Sequence, residues 1–514
     1  MELPKDFCDL MRQQYGDEMA ESLFKGLSQE PSVSIRLNPK KIHNSQFIID
    51  FVELFDLHNC PASVNENGTT PSAPFAQPNY ELCIMNYELE KVAWCPDAYY
   101  LNERPAFTFD PLFHAGVYYV QEASSMYLAT ILEKHLLDKC DQSLPFMGEE
   151  SRSDGEGLCL SCLDLCAAPG GKSTLLRSLL PDDCLLVSNE PMPKRAQVLA
   201  ENMTKWGHPN CIVTQNYPAD FTFLTDAFDL IVTDVPCSGE GMFRKDEGAI
   251  RDWSMENVDT CWRRQRSILT DIWPTLKPGG LLVYSTCTFN HFEDEDNVAW
   301  IAEHLGAEVL EQRHFLPGRD KGEGFFIAAL RKHTQTEDPL RPTATSPFMG
   351  RDFIGDKAEG TEREQKNDVA RKIKRNLKIL FSNIEEEEPE RKYGRKVEQK
   401  HDRKTERKHG KSIGRNSSKE DDKQQDVPHA LALSTTYQRG TYPEYELTYD
   451  EALAYLRREA LRIKAPRGIV LVTFKGVPLG FVKSVGNRAN NLYPQEWRIR
   501  TTYTTPFCLF AEEN

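Results

Sequence analysis

Two cysteines and a carboxylate near the middle of the chain are the residues best suited to chemistry. Asp234 and Cys237 follow the apolar segment FDLIVT, and Cys287 follows the apolar segment LLVYST. A cysteine thiolate is a nucleophile or a metal ligand, whereas a carboxylate exchanges protons or orients a substrate. Because both segments have the composition of buried strands, we expect these three residues at neighbouring strand ends.

Zinc binding, cysteine–histidine hydrolysis and chance placement are alternatives for these residues. Structural zinc sites have paired Cys or His spacings, and Cys159 and Cys162 form a single CxxC pair without a second one, so no metal site is predicted. A hydrolase could combine Cys287 with His291, but this pair would leave the Asp234 motif without a role. Chance placement stays open, since the chain contains 14 cysteines.

A glycine-rich turn lies between a predicted strand and a predicted helix in the run LDLCAAPGGKST at 163–174. Gly170 and Gly171 allow the backbone to approach a ligand closely, and the helix that follows offers free N–H groups. A triphosphate-binding loop would need glycine where Cys166 stands, and the dinucleotide pattern GxGxxG is absent. The turn therefore predicts a different ligand, or a packed strand–helix connection without one.

Glu190 lies 19 residues after Gly171, at the end of the next predicted strand. An acidic side chain at this place can accept hydrogen bonds from both hydroxyls of a ribose. A solvent-exposed glutamate without a function is the alternative. Together, the turn and the glutamate favour a cofactor that carries a ribose but no phosphates.

The elements that must position these residues alternate between apolar strands and amphipathic helices from about 110 to 335. This alternation predicts βαβ units and an α/β fold with a mostly parallel, doubly wound sheet. Ligands of such sheets bind beyond the carboxyl ends of the strands. The four predicted strand ends carry residues 166–171, Glu190, 234–237 and 285–288, so we expect the site there.

Length and composition predict several domains, because the chain has 514 residues, of which 39% are hydrophobic. We divide it into an N-terminal accessory and RNA-binding region (1–108), a core (109–336), a charged disordered linker (337–428) and a C-terminal module (429–514). A short helix is predicted inside the linker at 369–381. A polar insertion just before the first core strand, at 143–157, is predicted to be a surface loop.

The charge is unevenly distributed along an acidic chain. The formal net charge is −16, yet residues 391–415 contain eleven Lys or Arg and three Asp or Glu, a local charge of +8. This segment is either a solvated tether or a site of attraction for phosphates. The chain begins without an apolar export signal and has no run of 18 apolar residues, which predicts a cytoplasmic protein with reduced thiols and no membrane contact.

Several runs resemble the RNA cytosine-5 methyltransferases, which use S-adenosylmethionine. The matching runs are CAAPGGKS at 166–173, DVPCSGEGMFRKD at 234–246, YSTCTF at 284–289, SIRLNP at 34–39 and YYVQEASSM at 118–126. The run NNLYPQEWRIR at 490–500 further resembles the PUA-like RNA-binding module of the bacterial branch that modifies small-subunit ribosomal RNA. The resemblance covers most of the chain outside the linker.

The resemblance implies a Rossmann-like core between an N-terminal α/β region and a C-terminal α+β module, with S-adenosylmethionine as the cofactor. It implies that the cofactor's methionyl and adenosyl parts contact Cys166, Ala167, Ala168, Pro169, Gly170, Gly171 and Lys172. Glu190 would bind the ribose, and Asp234 would lie beside the cofactor and the target base. Asn216 stands where the family has an aspartate that contacts adenosine, counted without gaps back from Asp234.

The resemblance also assigns the catalytic groups. Cys287 would add to carbon 6 of cytosine, Cys237 would assist release, and Asp234, kept protonated by burial, would bind the N3 and N4 edge of the base. DNA cytosine methyltransferases place the nucleophile in their Pro-Cys motif, which would instead make Cys237 the attacking residue. The two assignments predict opposite behaviour of the cysteine variants.

The expected substrate is a cytosine in structured RNA, and the bacterial branch points to small-subunit ribosomal RNA, free or in the subunit. Transfer RNA is the alternative substrate, and a non-catalytic RNA-binding assembly factor is the alternative function. The target base must be splayed from its stack, so flanking parts would recognise the RNA, including Trp497, Arg498 and Arg500. We expect a monomer without a metal.

Overall fold

The computed structural model describes residues 2–42, 89–137, 159–334, 362–384 and 427–501. The predicted surface loop at 143–157 and the positive segment at 391–415 lie outside the described residues. Among the described helices, none combines the length and the apolar character needed to cross a membrane.

The N-terminal region contains two helices and a small antiparallel sheet. The helices are Lys5–Tyr15 and Asp17–Leu27. The strands are β1 (Val33–Leu37), β2 (Leu89–Lys91), β3 (Ala98–Leu101) and β4 (Tyr118–Val120), in the order β2-β3-β1-β4. Short helices follow at Pro39–Ile42, Pro111–His114 and Leu128–Leu132. The strand predicted from SIRLNP is therefore confirmed as β1.

Arg36, on β1, fastens this region to the core. Its side chain is buried, and its guanidinium lies 4.6 Å from the ring centre of Trp206. It also donates hydrogen bonds to Gln121 Oε1 at 3.0 Å and to Thr174 Oγ1 at 2.6 Å. A buried charge is tolerated only where such partners compensate for lost hydration. The N-terminal sheet is thus held next to the helix that follows the glycine-rich turn.

The core is an eight-stranded sheet in the order β10-β11-β9-β8-β5-β6-β7-β12. Its strands are β5 (Ser161–Asp164), β6 (Leu185–Asn189), β7 (Cys211–Thr214), β8 (Phe228–Asp234), β9 (Leu276–Thr286), β10 (Ala307–Phe315), β11 (Phe325–Lys332) and β12 (Ile379–Ser382). The strands β5 to β9 pair in parallel, whereas β10, β11 and β12 join antiparallel. The Rossmann-like α/β prediction is confirmed.

The strands are apolar on both faces because helices cover both sides of the sheet. One face buries Cys162, Leu186, Val213, Val232 and Val283, and the other buries Leu163, Val187, Ile212, Ile231 and Leu282. The helices Gly171–Leu179 and Pro193–Trp206 cover the first face. The helices Met255–Ile272, Glu295–Trp300 and Glu362–Asn376 cover the second, and Glu247–Asp252 lies between β8 and β9 in sequence.

Residues 362–384, inside the predicted linker, differ from that prediction. The helix Glu362–Asn376 buries Val369, Ala370 and Ile373 against the core, and β12 pairs with β7. The predicted helix at 369–381 thus begins earlier, ends at Asn376 and is followed by a strand. Three apolar residues on one helical face are enough for docking although the segment is rich in charge.

The C-terminal module packs against the N-terminal region. It contains β13 (Glu444–Glu446), β14 (Gly468–Phe474), β15 (Val477–Ser484) and β16 (Ala489–Asn491), with helices His429–Leu433 and Tyr449–Leu456. Its apolar residues share one cluster with the N-terminal sheet, and Tyr449 donates a hydrogen bond to the Phe109 carbonyl at 3.0 Å.

Candidate active site

The strand order places the predicted site residues along one edge of the sheet. The order β9-β8-β5-β6 brings together the carboxyl ends that carry Cys287, Asp234, the glycine-rich turn and Glu190. The chain reverses its direction of progress across the sheet at β5, since β6 lies on one side and β8 on the other. Such switch points form the ligand crevices of open α/β sheets.

The glycine-rich turn connects β5 to the helix Gly171–Leu179. Gly170 has a φ of +119°, which a residue with a side chain rarely adopts, and it caps the helix. Asp164, at the end of β5, is fully buried and accepts a hydrogen bond from Ser173 Oγ at 2.6 Å. Burial raises the pKa of Asp164 to about 7. Its other oxygen, Oδ1, has no hydrogen-bond partner within the described chain.

Glu190 is only 1% exposed, which excludes the alternative of a solvated surface glutamate. One carboxylate oxygen accepts a hydrogen bond from the Met192 amide at 3.0 Å, and the other lies 3.4 Å from Arg195. Arg195 also donates to the Ala168 carbonyl at 2.9 Å. Arg195 therefore links Glu190 to the glycine-rich turn. Sequence analysis did not identify this residue.

Asn216 lies at the end of β7, where its amide is already engaged. Its Nδ2 donates to the Lys378 carbonyl, and its Oδ1 accepts from the Lys378 amide, both at 3.1 Å. The Asn216 side chain thus binds the backbone of Lys378, the residue just before β12. The adenosine contact implied by the resemblance stays a prediction.

Asp234 is arranged differently from the buried, protonated acid expected from the sequence. Its side chain is 38% exposed, Lys172 Nζ lies 2.9 Å from Oδ2, and Ser285 Oγ donates to Oδ1 at 3.0 Å. Lys172 and Ser285 therefore orient Asp234 as a hydrogen-bond acceptor.

The two cysteines of the predicted site face each other. Cys237 Sγ and Cys287 Sγ are 3.0 Å apart, and each residue is partly buried. The contact with the Cys287 thiol, together with burial, raises the pKa of the Cys237 thiol well above its ordinary value. Cys166, by contrast, is set apart from this pair, and burial raises its pKa to about 12, as is typical of a structural thiol.

A further cluster beside Cys287 has residue types that could bind a metal: Asp294, Glu295 and His314. Their polar atoms bind one another, since the His314 ring contacts Asp294 at 2.8 Å and Glu295 at 3.1 Å. Burial lowers the pKa of His314, but these two hydrogen-bonded carboxylates raise it more, to about 9. Each ring nitrogen of His314 is thus paired with a carboxylate, and the three residues form an ion-pair network.

This network supports the loop that carries the nucleophile candidate. Asp294 accepts hydrogen bonds from Thr286 Oγ1 and from Thr288 Oγ1, the residues on either side of Cys287. From the N-terminal helix, Gln14 and Tyr15 donate to the Phe289 carbonyl at 2.8 and 2.7 Å. Sequence analysis missed these contacts, because the acidic run FEDED is typical of a solvated helix start.

The fold and this site define an S-adenosylmethionine-dependent methyltransferase in which two cysteines face each other beyond the strand ends. A family model described as 16S rRNA methyltransferase RsmB/F matches residues 158–331. Models of the RsmF PUA domain and of the N-terminal domain of 16S rRNA methyltransferase RsmF match residues 442–499 and 72–123. The chain belongs to the RsmB/F family of methyltransferases.

Individual relatives align along most of the chain. Ribosomal RNA small subunit methyltransferase F of Aeromonas hydrophila is 29% identical over 458 residues, covering 80% of this chain and 86% of the relative. The protein of the same name from Cronobacter sakazakii is 28% identical over 521 residues, covering 96% of both. The structure of a methyltransferase homologue from Pyrococcus horikoshii aligns with a TM-score of 0.48 at 23% identity, over 64% of this chain and 95% of that chain.

The residues around the switch point fit S-adenosylmethionine. The Glu190 carboxylate suits ribose hydroxyls, the glycine-rich turn and its helix offer backbone N–H groups, and the unpartnered Asp164 Oδ1 is a buried acceptor at the same strand ends. Met192, which follows Glu190, is 53% exposed and gives this edge an apolar surface. The donors and acceptors thus match a nucleoside without phosphates.

Proposed function

We propose that this protein methylates carbon 5 of a cytosine in small-subunit ribosomal RNA, with S-adenosylmethionine as the methyl donor. The observation that carries the proposal is the Cys237–Cys287 pair, with its sulfur atoms 3.0 Å apart at the cofactor edge of the sheet. This reaction needs a sulfur nucleophile and a second group that helps its release. The family and the names of the relatives favour ribosomal over transfer RNA as the substrate.

Cys287 is the proposed nucleophile. Carbon 5 of cytosine is a weak nucleophile, and addition of the Cys287 sulfur to carbon 6 converts the ring into an enamine that is reactive at carbon 5. The bound donor supplies an electrophilic methyl group. The Cys287 backbone is held by the Gly241 amide, which donates to its carbonyl at 2.7 Å, and this fixes where the sulfur is presented.

Cys237 is the proposed release group. After methyl transfer, the carbon-5 proton passes to a solvent water molecule as the double bond between carbons 5 and 6 forms again. The bond between carbon 6 and the Cys287 sulfur breaks, and its electron pair leaves on the sulfur. The raised pKa of Cys237 keeps its S–H bond intact near neutral pH. This S–H can donate a hydrogen bond to the departing Cys287 thiolate, which lowers the barrier to elimination.

Asp234 is proposed to orient the base. As a carboxylate paired with Lys172, it can accept a hydrogen bond from the exocyclic amino group of cytosine. Uracil has a carbonyl at that position, so its oxygen and the Asp234 carboxylate would face each other as two hydrogen-bond acceptors. The same contact would therefore position cytosine and discriminate against uracil.

Glu190 is proposed to bind the ribose of the donor, and its replacement tests the cofactor site. Glu190→Gln loses the charge that strengthens two hydrogen bonds, so its Kd for S-adenosylmethionine should rise by about 10- to 100-fold. Isothermal titration measures this change. Glu201→Gln, on the same helix as Arg195 and paired with Lys205 at 2.6 Å, is the control and should bind the cofactor normally. Equal affinities of Glu190→Gln and the unsubstituted protein would remove Glu190 from the cofactor site.

The C-terminal module is proposed to bind RNA through exposed arginines. Trp497 packs against the shared apolar cluster, with Lys205 Nζ 5.5 Å from the centre of its ring. Arg498 and Arg500 are exposed and can contact phosphates. We further propose that the protein acts as a monomer in the cytoplasm, on the RNA or the ribosomal subunit.

The function is tested by methyl transfer to separate RNA pools. Purified protein is incubated with radiolabelled S-adenosylmethionine and with 16S rRNA, small ribosomal subunits or transfer RNA. We expect label in 16S rRNA or in the subunit, at cytosines that bisulfite sequencing then locates. Label confined to transfer RNA would establish the alternative substrate. Absence of label in every pool, from protein that binds the cofactor, would favour a non-catalytic assembly factor.

A further inference from the structure

Two buried glutamates lie directly behind the cysteine pair, one on each of the loops that carry the cysteines. Glu240 follows Cys237 on the loop after β8, and Glu293 follows Cys287 on the loop after β9. Both residues are 0% exposed. Within the described part of the chain, neither carboxylate lies within ion-pair distance of a basic side chain, so hydrogen bonds must compensate for the lost hydration.

Glu240 binds the loop of the other cysteine. Its Oε2 accepts hydrogen bonds from the backbone amides of Phe289 at 2.6 Å and Asn290 at 3.1 Å. Its Oε1 accepts from Asn290 Nδ2 at 2.8 Å and from Trp253 Nε1 at 2.9 Å. Three of these four donors belong to the residues two and three positions after Cys287.

Glu293 lies on the loop of Cys287 and binds the loop of Cys237. Its carboxylate accepts from the backbone amide of Ser238, the residue after Cys237, at 3.1 Å. It also accepts from Gln265 Nε2 at 2.6 Å, and the same Nε2 donates to the Pro236 carbonyl at 3.0 Å. Glu293 therefore holds both sides of Cys237, directly at Ser238 and through Gln265 at Pro236.

Asn290 connects the two carboxylates. Its Nδ2 donates to Glu293 Oε1 at 3.0 Å as well as to Glu240, and its Oδ1 accepts from the Glu293 amide. We propose that Glu240 and Glu293 are positioning residues that set the distance between the two sulfur atoms, each by binding the loop of the opposite cysteine. Their effect on catalysis rests on the proposed function, whereas their effect on the sulfur–sulfur distance does not.

Only a carboxylate satisfies both sites. Among the residues that the structure describes, each of the two glutamates accepts hydrogen bonds from N–H donors alone. The orientations of Asn290 and Gln265 are set by donors bound to their own oxygens, including Asn297 Nδ2 at 2.7 Å from Gln265 Oε1. A glutamine would turn an NH2 group toward an N–H group, leaving both unpaired in a buried place. The isosteric substitution should therefore displace the loops without creating a cavity.

The test uses Glu240→Gln and Glu293→Gln in the full-length protein. We expect kcat for RNA methylation to fall by about 10²-fold, since displacement of reacting groups by about 1 Å has effects of this order. The Kd for S-adenosylmethionine should stay unchanged, because neither glutamate contacts the turn or Glu190. Asp110→Asn is the matched control: Asp110 is a buried carboxylate that accepts from the Leu112 amide and Tyr118 Oη in the N-terminal region, and its loss should leave kcat unchanged.

A second measurement reports the sulfur–sulfur distance without RNA. Diamide oxidises two adjacent thiols to a disulfide and is itself reduced to the hydrazine, and peptide mapping gives the rate at which Cys237 and Cys287 become linked. We expect a slower rate in both glutamine variants and an unchanged rate in Asp110→Asn. Unchanged linking rates in the glutamine variants, or an equal loss in the control, would overturn the proposal. Failure of the unsubstituted protein to methylate RNA would instead overturn the proposed function.

A milder variant is decisive if a glutamine variant does not fold, as judged by loss of cofactor binding. Asn290→Ala removes the bridge between the two carboxylates but leaves both of them paired with backbone amides. It should lower both kcat and the rate of thiol linking, but by smaller factors than the two glutamine substitutions do. Wild-type values of both quantities in this folded variant would overturn the proposal.

Discussion

Cys287→Ala should lower kcat for RNA methylation by a factor of at least about 10⁴, a loss typical of removing a nucleophile. The substitution removes the sulfur that we propose adds to carbon 6, so the ring should stay unreactive at carbon 5. The proposed cofactor site lies at the ends of other strands and should be left intact. The variant should therefore bind S-adenosylmethionine with an unchanged Kd while forming no covalent complex with RNA on a denaturing gel.

The control for this prediction is Cys8→Ala, which removes a thiol that is also partly buried but lies on the N-terminal helix. It should methylate RNA at the wild-type rate. Substantial turnover by Cys287→Ala would show that another residue attacks the base. Loss of cofactor binding in the same variant would point to a structural defect rather than a missing nucleophile.

Cys237→Ala should have a different effect: a covalent protein–RNA complex that accumulates. In the proposed mechanism, addition and methyl transfer need Cys287, which is retained, but elimination loses the thiol that lies 3.0 Å from the departing sulfur. Proton donors of this kind contribute about 10²- to 10⁴-fold, so multiple turnover should fall by that factor. A single turnover should still label the RNA, and the labelled RNA should migrate with the protein on a denaturing gel.

The double variant Cys237→Ala/Cys287→Ala is the control for this complex and should show none. The assignment used by DNA cytosine methyltransferases predicts the opposite pattern, with Cys237 attacking. A complex that accumulates in Cys287→Ala and is absent in Cys237→Ala would support that assignment and contradict the one proposed here.

The sequence was sufficient to predict the core of the fold because its strands are short apolar runs that end in unusual residues. Alternation of these runs with amphipathic helices predicts a doubly wound sheet, and the sheet brings residues far apart in sequence to one edge. Cys237 and Cys287, separated by 50 positions, come within 3.0 Å in this way. The two cysteines meet because they follow strands that are neighbours in the sheet.

Other features could not be predicted because their patterns resemble solvated chain. Glu293 and Asp294 lie in the acidic run FEDED, where each glutamate or aspartate is most simply interpreted as exposed, yet both are fully buried. The helix Glu362–Asn376 has three buried apolar residues within a highly charged segment, too few to distinguish a docked helix from a linker. In each case, contacts with distant parts of the chain determine that these residues are buried rather than exposed.

The environment of Asp234 depended on a contact that spacing does not indicate. Its predicted burial would have kept the acid protonated, but Lys172, near the start of another helix, lies 2.9 Å away. A sequence pattern places each residue on its own element and contains no information on the pairing of side chains across elements. The contact with Lys172 changes the proposed role of Asp234 from proton donor to hydrogen-bond acceptor.

Trapping of the unsubstituted protein on RNA that contains 5-fluorocytosine identifies the attacking sulfur. After methyl transfer, carbon 5 would carry fluorine instead of the proton that normally leaves, so elimination is blocked and the covalent complex persists. Digestion of the complex and mass spectrometry of its peptides locate the modified cysteine. We expect a methylated fluorocytidine nucleotide on Cys287; the same nucleotide on Cys237, or no complex in protein that methylates ordinary RNA, would contradict the proposed mechanism.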